Sequence, residues 1–280
     1  RAEKYLIKDG QIRQLHSVVP DERKREMLRK RIAQPHLVRK QYGAGEIYQT
    51  TLINNLLCLL VNKLASLDPF GVGIEMEADK PNWFDALNGL PALFGSSSCE
   101  TFELKRLVLF IKDAVEKAKI EKIPVTEEIY NFLIELDKLI KVPDYRYWDK
   151  SYSLKEDYRH KARFGFSGNE SEIKTGDLKN ILDNALEKIN LGLHKALDKK
   201  KNIYYAYFIN EVAEYEVIKE HFVKPTKFIQ KKVPFFLEGQ MHALRMSESI
   251  KEAETLYKAT KLSQLYDKKL KMYKVTAPLN

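Results

Sequence analysis

The sequence predicts an all-α protein built of long helices paired into stacked hairpins, closed as a toroid or left open as a solenoid. Three observations carry this. Apolar residues recur at spacings of three and four over most of the chain. Strand-like alternation is weak and confined to short stretches. Gly and Pro cluster between the periodic segments rather than inside them.

The clearest helix has Leu178, Ile181, Leu182, Ala185, Leu186, Ile189, Leu193, Ala196 and Leu197 on one face, with Thr175 and Asp177 supplying N-cap oxygens ahead of it. A second carries Leu104, Leu107, Val108, Ile111, Val115 and Ala118. A third carries Ile129, Phe132, Leu133, Leu136 and Ile140 behind the acidic first turn Thr126-Glu127-Glu128. The stretch 47–67 is apolar almost all round and reads as a central, doubly covered helix. A short charged helix starts at Pro20-Asp21-Glu22, and 147–163 and 250–261 are two more. Tyr5 to Ile12 and Ile203 to Phe208 could each form a short strand. Loops fall at 69–73, 89–95 and 165–168.

Composition narrows the classes. There are 48 Lys and Arg against 39 Asp and Glu, a net charge of +9, which permits an anionic partner without choosing one. The basic run Arg23-Lys24-Arg25 to Arg29-Lys30-Arg31 is broken by Asp21, Glu22 and Glu26 and lacks interleaved aromatics. It reads as a solvated helix face, not a nucleic-acid module. No apolar stretch is long enough to span a bilayer. The two cysteines, Cys58 in an apolar run and Cys99, suggest free thiols, and no spacing suggests a metal. The expected setting is therefore the cytoplasm. Both ends read as cut points, so residues 1–280 are expected to be one domain of a larger protein, with other domains of the same parent chain as neighbours.

One stretch differs from the rest. Gly73 to Ser98 gathers Glu75, Glu77, Asp79, Asn82, Trp83, Phe84, Asp85 and Asn88 without a clean period. Packing alone does not produce this mixture. A sugar site needs it: an aromatic face stacks on the C–H face of a pyranose, carboxylates and amides take its hydroxyls, and a carboxylic acid protonates the departing oxygen. Asn82-Trp83-Phe84-Asp85-Ala86-Leu87-Asn88 resembles the Asp-Trp-Asn-Asp-x-Leu/Met-Asn motif of cellobiose phosphorylase and its relatives, glycoside hydrolase family 94. It keeps Trp83, Asp85, Leu87 and Asn88 and departs at Asn82 and Phe84. Further similar phrasing occurs at 34–39 and 235–244.

The resemblance implies an (α/α)6 toroid, here an incomplete ring, with the 73–98 loop at its mouth. It implies Asp85 as the general acid in inverting cleavage of a glucoside, with Trp83, Asn82, Phe84, Asn88, Glu75 and Asp79 as sugar contacts. Gly239-Gln240-Met241-His242-Ala243 is similar to the family's phosphate-binding stretch, which would give His242 and Gln240 to the phosphate. The expected partner is an oligosaccharide, with no cofactor or metal and with inorganic phosphate as co-substrate. In a hydrolase a second carboxylate must activate water. Glu75, Glu77, Asp79 and Glu238 are the choices, with Glu77 favoured for its nearness to the motif. The competing reading is a non-catalytic carbohydrate-binding or structural fragment. On a helix Glu238 and His242 stand four apart and can pair on one face.

Overall fold

The structure, a computed structural model, describes residues 4–14, 20–76 and 95–278. These divide into two compact units. The first combines 1–17, 67–106 and 188–280, and the second 18–66 and 107–187.

The first unit is organised on a six-stranded antiparallel sheet, which overturns the all-α toroid. Its strands are β1 (Tyr5–Lys8), β2 (Gln11–Gln14), β3 (Ile74–Glu75), β4 (Gly95–Ser97), β9 (Tyr207–Lys219) and β10 (Phe222–Lys232), in the order β2-β1-β10-β9-β4-β3. Strands β1 and β2 form a hairpin at Asp9-Gly10. Both turn residues have positive φ, 52° and 72°, which this dipeptide adopts more readily than most. Strands β9 and β10 make a long hairpin in which Tyr207 and Phe208 at the base of β9 and Val223 and Phe228 of β10 are buried, while Tyr215, Val217 and Ile218 on the outer part of β9 are exposed.

The expectation of helix failed here for a physical reason. A strand of two or three residues is too short to show alternation. The outer half of β9, from Ala213 to Lys219, is exposed on both faces, so nothing imposes a period of two on it. Helical periodicity elsewhere then dominated the reading. The strand expected over Tyr5 to Ile12 is a turn flanked by two strands. The one expected over Ile203 to Phe208 is interrupted between β8 (Ile203–Tyr204), which pairs with β7 (Leu197–Asp198), and β9.

The second unit is mainly helical. Helix α1 (Glu22–Arg29) starts where expected: the Lys24 N–H donates to the Asp21 carboxylate at 3.0 Å, and Arg163 clamps the same carboxylate through two nitrogens. Helix α2 (Leu52–Leu64) is shorter than the apolar run that announced it. Its face of Leu57, Leu60, Val61 and Leu64 is buried, but Leu52 and Leu59 are exposed, so it is covered on one side only.

Helix α3 (Ser98–Ala118) belongs to the first unit up to Arg106 and to the second beyond it, and the second also holds α4 (Glu127–Leu139) and α5 (Asp144–Lys161). Strands β5 (Lys122–Thr126) and β6 (Glu170–Lys174) pair antiparallel, and α6 (Thr175–Ala196) follows. Asn54 of α2 ties this unit together. Its amide donates to the Thr126 hydroxyl at 2.7 Å, and its carbonyl accepts from the Thr126 N–H at 3.0 Å. Tyr147 and Trp148 are core residues, and the Tyr147 hydroxyl donates to the Leu64 carbonyl. Cys58 is a free, half-buried thiol 3.2 Å from the Tyr158 hydroxyl. Among the described residues no helix is long and apolar enough to cross a membrane.

Candidate functional site

The expected sugar-binding loop is anchored in the first unit by its two ends. Strands β3 and β4 pair antiparallel, Ile74 with Ser97 and Glu75 with Ser96, and the Met76 N–H donates to the Gly95 carbonyl at 3.0 Å. The chain therefore leaves the sheet at Met76 and re-enters it beside its exit. Glu77, Asp79, Asn82, Trp83, Phe84, Asp85 and Asn88 all lie outside the described residues.

A buried carboxylate fixes this doorway. Asp68 has no exposed surface and accepts from the N–H groups of Phe70, Val72 and Gly73, each at 3.0 Å. It also accepts from the Ser96 hydroxyl at 2.6 Å and the Gln230 amide at 3.0 Å. One side chain thus joins the turn before β3, strand β4 and strand β10. Burial pushes its pKa up, and the bonds from Ser96, Val72, Gly73 and Phe70 oppose that shift by favouring the charged form. Beside it, Glu75 is almost fully buried and paired with Lys4 at 2.8 Å, so the sugar contact assigned to it would come from a carboxylate already held by an ammonium.

The second expected element lies on α7 (Leu237–Arg245). Close approach places it: a methyl group on Gly239 would come within 3.2 Å of the Ala206 side chain, just upstream of β9. Gln240 is buried, its amide nitrogen donating to the Tyr204 carbonyl at 2.7 Å and its oxygen accepting from the Tyr204 N–H at 3.1 Å. Both ends of the side chain expected at the phosphate are thus engaged by backbone.

His242 is accessible. Its Nδ1 is 3.0 Å from Glu103 of α3, and its Nε2 is 3.9 Å from Glu238, the pairing expected from their spacing. Glu238 also accepts from the Tyr207 hydroxyl. Cys99, one turn before Glu103, completes the cluster: its sulfur and one ligand atom each of Glu238 and His242 lie within 4.8 Å of one another. Burial pushes the Cys99 thiol well above its usual range, and the Glu238 carboxylate adds to the shift. Arg245 reaches the same Glu103 at 3.4 Å.

The two expected elements are linked. Ser97, at the end of the β3/β4 doorway, pairs with Tyr207 of β9, and Tyr207 holds Glu238 on α7. The roles of Cys99 and Glu103 were not foreseen. Their signal was faint, an i, i+4 pair on a helix that otherwise reads as packing. A cavity of about 570 Å³ was also missed, lined by Lys201, Ile203, Phe235, Thr255, Lys258 and Ser263 among others. Its residues are scattered along the chain, and no local pattern joins them. Compared with protein-family models and with curated proteins, the chain matches none.

Proposed function

We propose that this chain contributes the sugar-cleaving site of a carbohydrate-active protein, in which Asp85 protonates the leaving oxygen of a glucoside and phosphate or water attacks with inversion. The reading rests on the Trp83-to-Asn88 motif and on position, not on fold, since the first unit is sheet-based. The observation that supports it best is the linkage Ser97–Tyr207–Glu238, which brings the doorway of the motif loop and the Glu238–His242 face into one compact unit. An acid and an acceptor site must act on the same bond, and elements held in one unit can do so.

Glu103 and Glu238 flank His242, and Arg106 and Arg245 pair with Glu103 at 3.3 and 3.4 Å, so the setting is mixed in charge. A carboxylate placed to activate water requires roughly 6.5–9.5 Å from the acid, and the half-exposed Glu238 is available for that role.

The test is to incubate the full-length protein with cello-oligosaccharides, with and without phosphate, and to assay sugar 1-phosphate and free sugar separately. Sugar 1-phosphate formed only with phosphate identifies a phosphorylase. Free sugar released equally in both identifies a hydrolase. In either case Asp85→Asn is expected to slow turnover by about 10²-fold or more. No turnover of any glucoside refutes the reading.

A further inference from the structure

We propose that Cys99, Glu238 and His242 form a binding site for a single divalent transition-metal ion, Zn²⁺ by ligand chemistry, oriented by Glu103. The proposal does not depend on the sugar-cleaving reading.

The donor set is a thiolate, a carboxylate and an imidazole. Softness and charge together favour Zn²⁺ over the oxygen-seeking Mg²⁺ and Ca²⁺. The spacing is near what the ion needs. Ligands about 2.0–2.3 Å from a tetrahedral zinc stand about 3.5 Å apart. Here Glu238 and His242 are at 3.9 Å, and all three donors fall within 4.8 Å, so a contraction of about 1 Å closes the site. The ligands come from two helices, Cys99 from the first turn of α3 and the Glu238/His242 pair from one face of α7. The Gly239 contact with Ala206 fixes the position of α7.

The outer shell supports the same conclusion. A carboxylate can only accept, so the Glu103 oxygen 3.0 Å from Nδ1 assigns the ring proton to that nitrogen. In the neutral ring that binds a metal, the lone pair then lies on Nε2, on the side facing Glu238. This carboxylate–histidine arrangement is the one that orients imidazole ligands of zinc and raises their basicity. The Tyr207 hydroxyl fixes one oxygen of Glu238 in the same way and leaves the other toward His242.

Access also fits. Cys99 is buried, whereas His242 and Glu238 are about one-fifth and two-fifths exposed, so an ion can enter from solvent and meet the sulfur last. Binding forms a metal–sulfur bond and releases the Cys99 thiol proton to solvent. No electrons are transferred. Three protein ligands leave the fourth tetrahedral position open to water or an anion.

The experiment is to strip the full chain of metal with a chelator and titrate it with Co²⁺, following thiolate-to-cobalt charge-transfer absorption in the near ultraviolet. Zn²⁺ is then added to displace the cobalt. The expected result is one bound ion per chain, with the band lost in Cys99→Ser and kept in Cys58→Ser. Affinity should fall about 10–100-fold in Glu103→Gln, a change that removes none of the three donor atoms. His242→Ala, on a partly exposed helix face, carries the test if Cys99→Ser fails to fold. It should bind at least about 10-fold more weakly. Absence of stoichiometric binding, binding unchanged in His242→Ala, or a band that follows Cys58 overturns the proposal.

Discussion

At the scale of single residues, three carboxylates illustrate how surroundings decide a role. Asp68 is buried and spends its oxygens on five donors, so its work is architectural. Glu238 is partly exposed and shares its oxygens between a tyrosine hydroxyl and an imidazole, which leaves it chemically available. Asp21 caps a helix and grips Arg163. The guanidinium bonds first, and the Lys24 N–H second, hold its carboxyl well below the usual carboxylate range. A depressed native pKa means that the charged form is favoured by folding. The stability it contributes is therefore complete above the unfolded value and is lost as pH falls through the native one. Asp21→Asn should lower the melting temperature at about pH 6, and the gap from the parent should shrink steadily between about pH 5 and pH 1. An equal gap across that range, measured by thermal unfolding, would refute the assignment. The capping role of Asp21 could be read from the sequence, because Pro20-Asp21-Glu22 before a charged periodic run is a local signal. The Arg163 partner could not, since it lies far along the chain.

At the scale of elements, helices were legible and the sheet was not. Helices α4 and α6 announce themselves because every turn repeats the same apolar face, so a dozen residues confirm one another. Strands β3 and β4 consist of two and three residues, and their identity comes from a neighbour rather than from their own composition. The Asp9-Gly10 turn was a visible hairpin signal lying inside the single strand expected over Tyr5 to Ile12. Close packing was equally hidden. Gly192 in α6 lies against the loop before β3, where an added methyl would stand 2.0 Å from the Gly71 carbonyl oxygen. Backbone blocks it, so the helix or the loop must move. Gly192→Ala would ordinarily stabilise an interior helical position. Here it is expected to destabilise by about 1–3 kcal/mol, read from denaturant unfolding. A neutral or stabilising result would show that the contact yields freely.

At the scale of the whole molecule, each compact unit is assembled from separated stretches of chain. In the second unit α2 comes from one stretch and the α4/α5 pair from the other, and the buried Asn54–Thr126 bonds join them. Residues 107–187 alone would expose the apolar surface that Leu57, Leu60, Val61 and Leu64 cover. That fragment is expected to unfold without a sharp transition. Adding residues 18–66 through a flexible linker should restore cooperativity, detectable by calorimetry. A sharp transition in the shorter fragment would show that α2 is dispensable. The candidate site was legible only in part for a related reason. The stretch from Asn82 to Asn88 is contiguous, so its resemblance shows in the sequence alone, whereas Cys99, Glu103, Tyr207 and His242 become neighbours only through the sheet and two helices.

The doorway at Met76 and Gly95 has a consequence for how this protein can change. Both ends of the intervening segment are held close together, by the β3/β4 pairing, the Met76–Gly95 bond and the Asp68–Ser96 bond. The closure entropy of such a segment rises only logarithmically, by about 0.6 kcal/mol for each doubling of length. A change of length between the two clamps therefore costs the frame little stability, which leaves this stretch open to insertion and deletion while the sheet around it is kept.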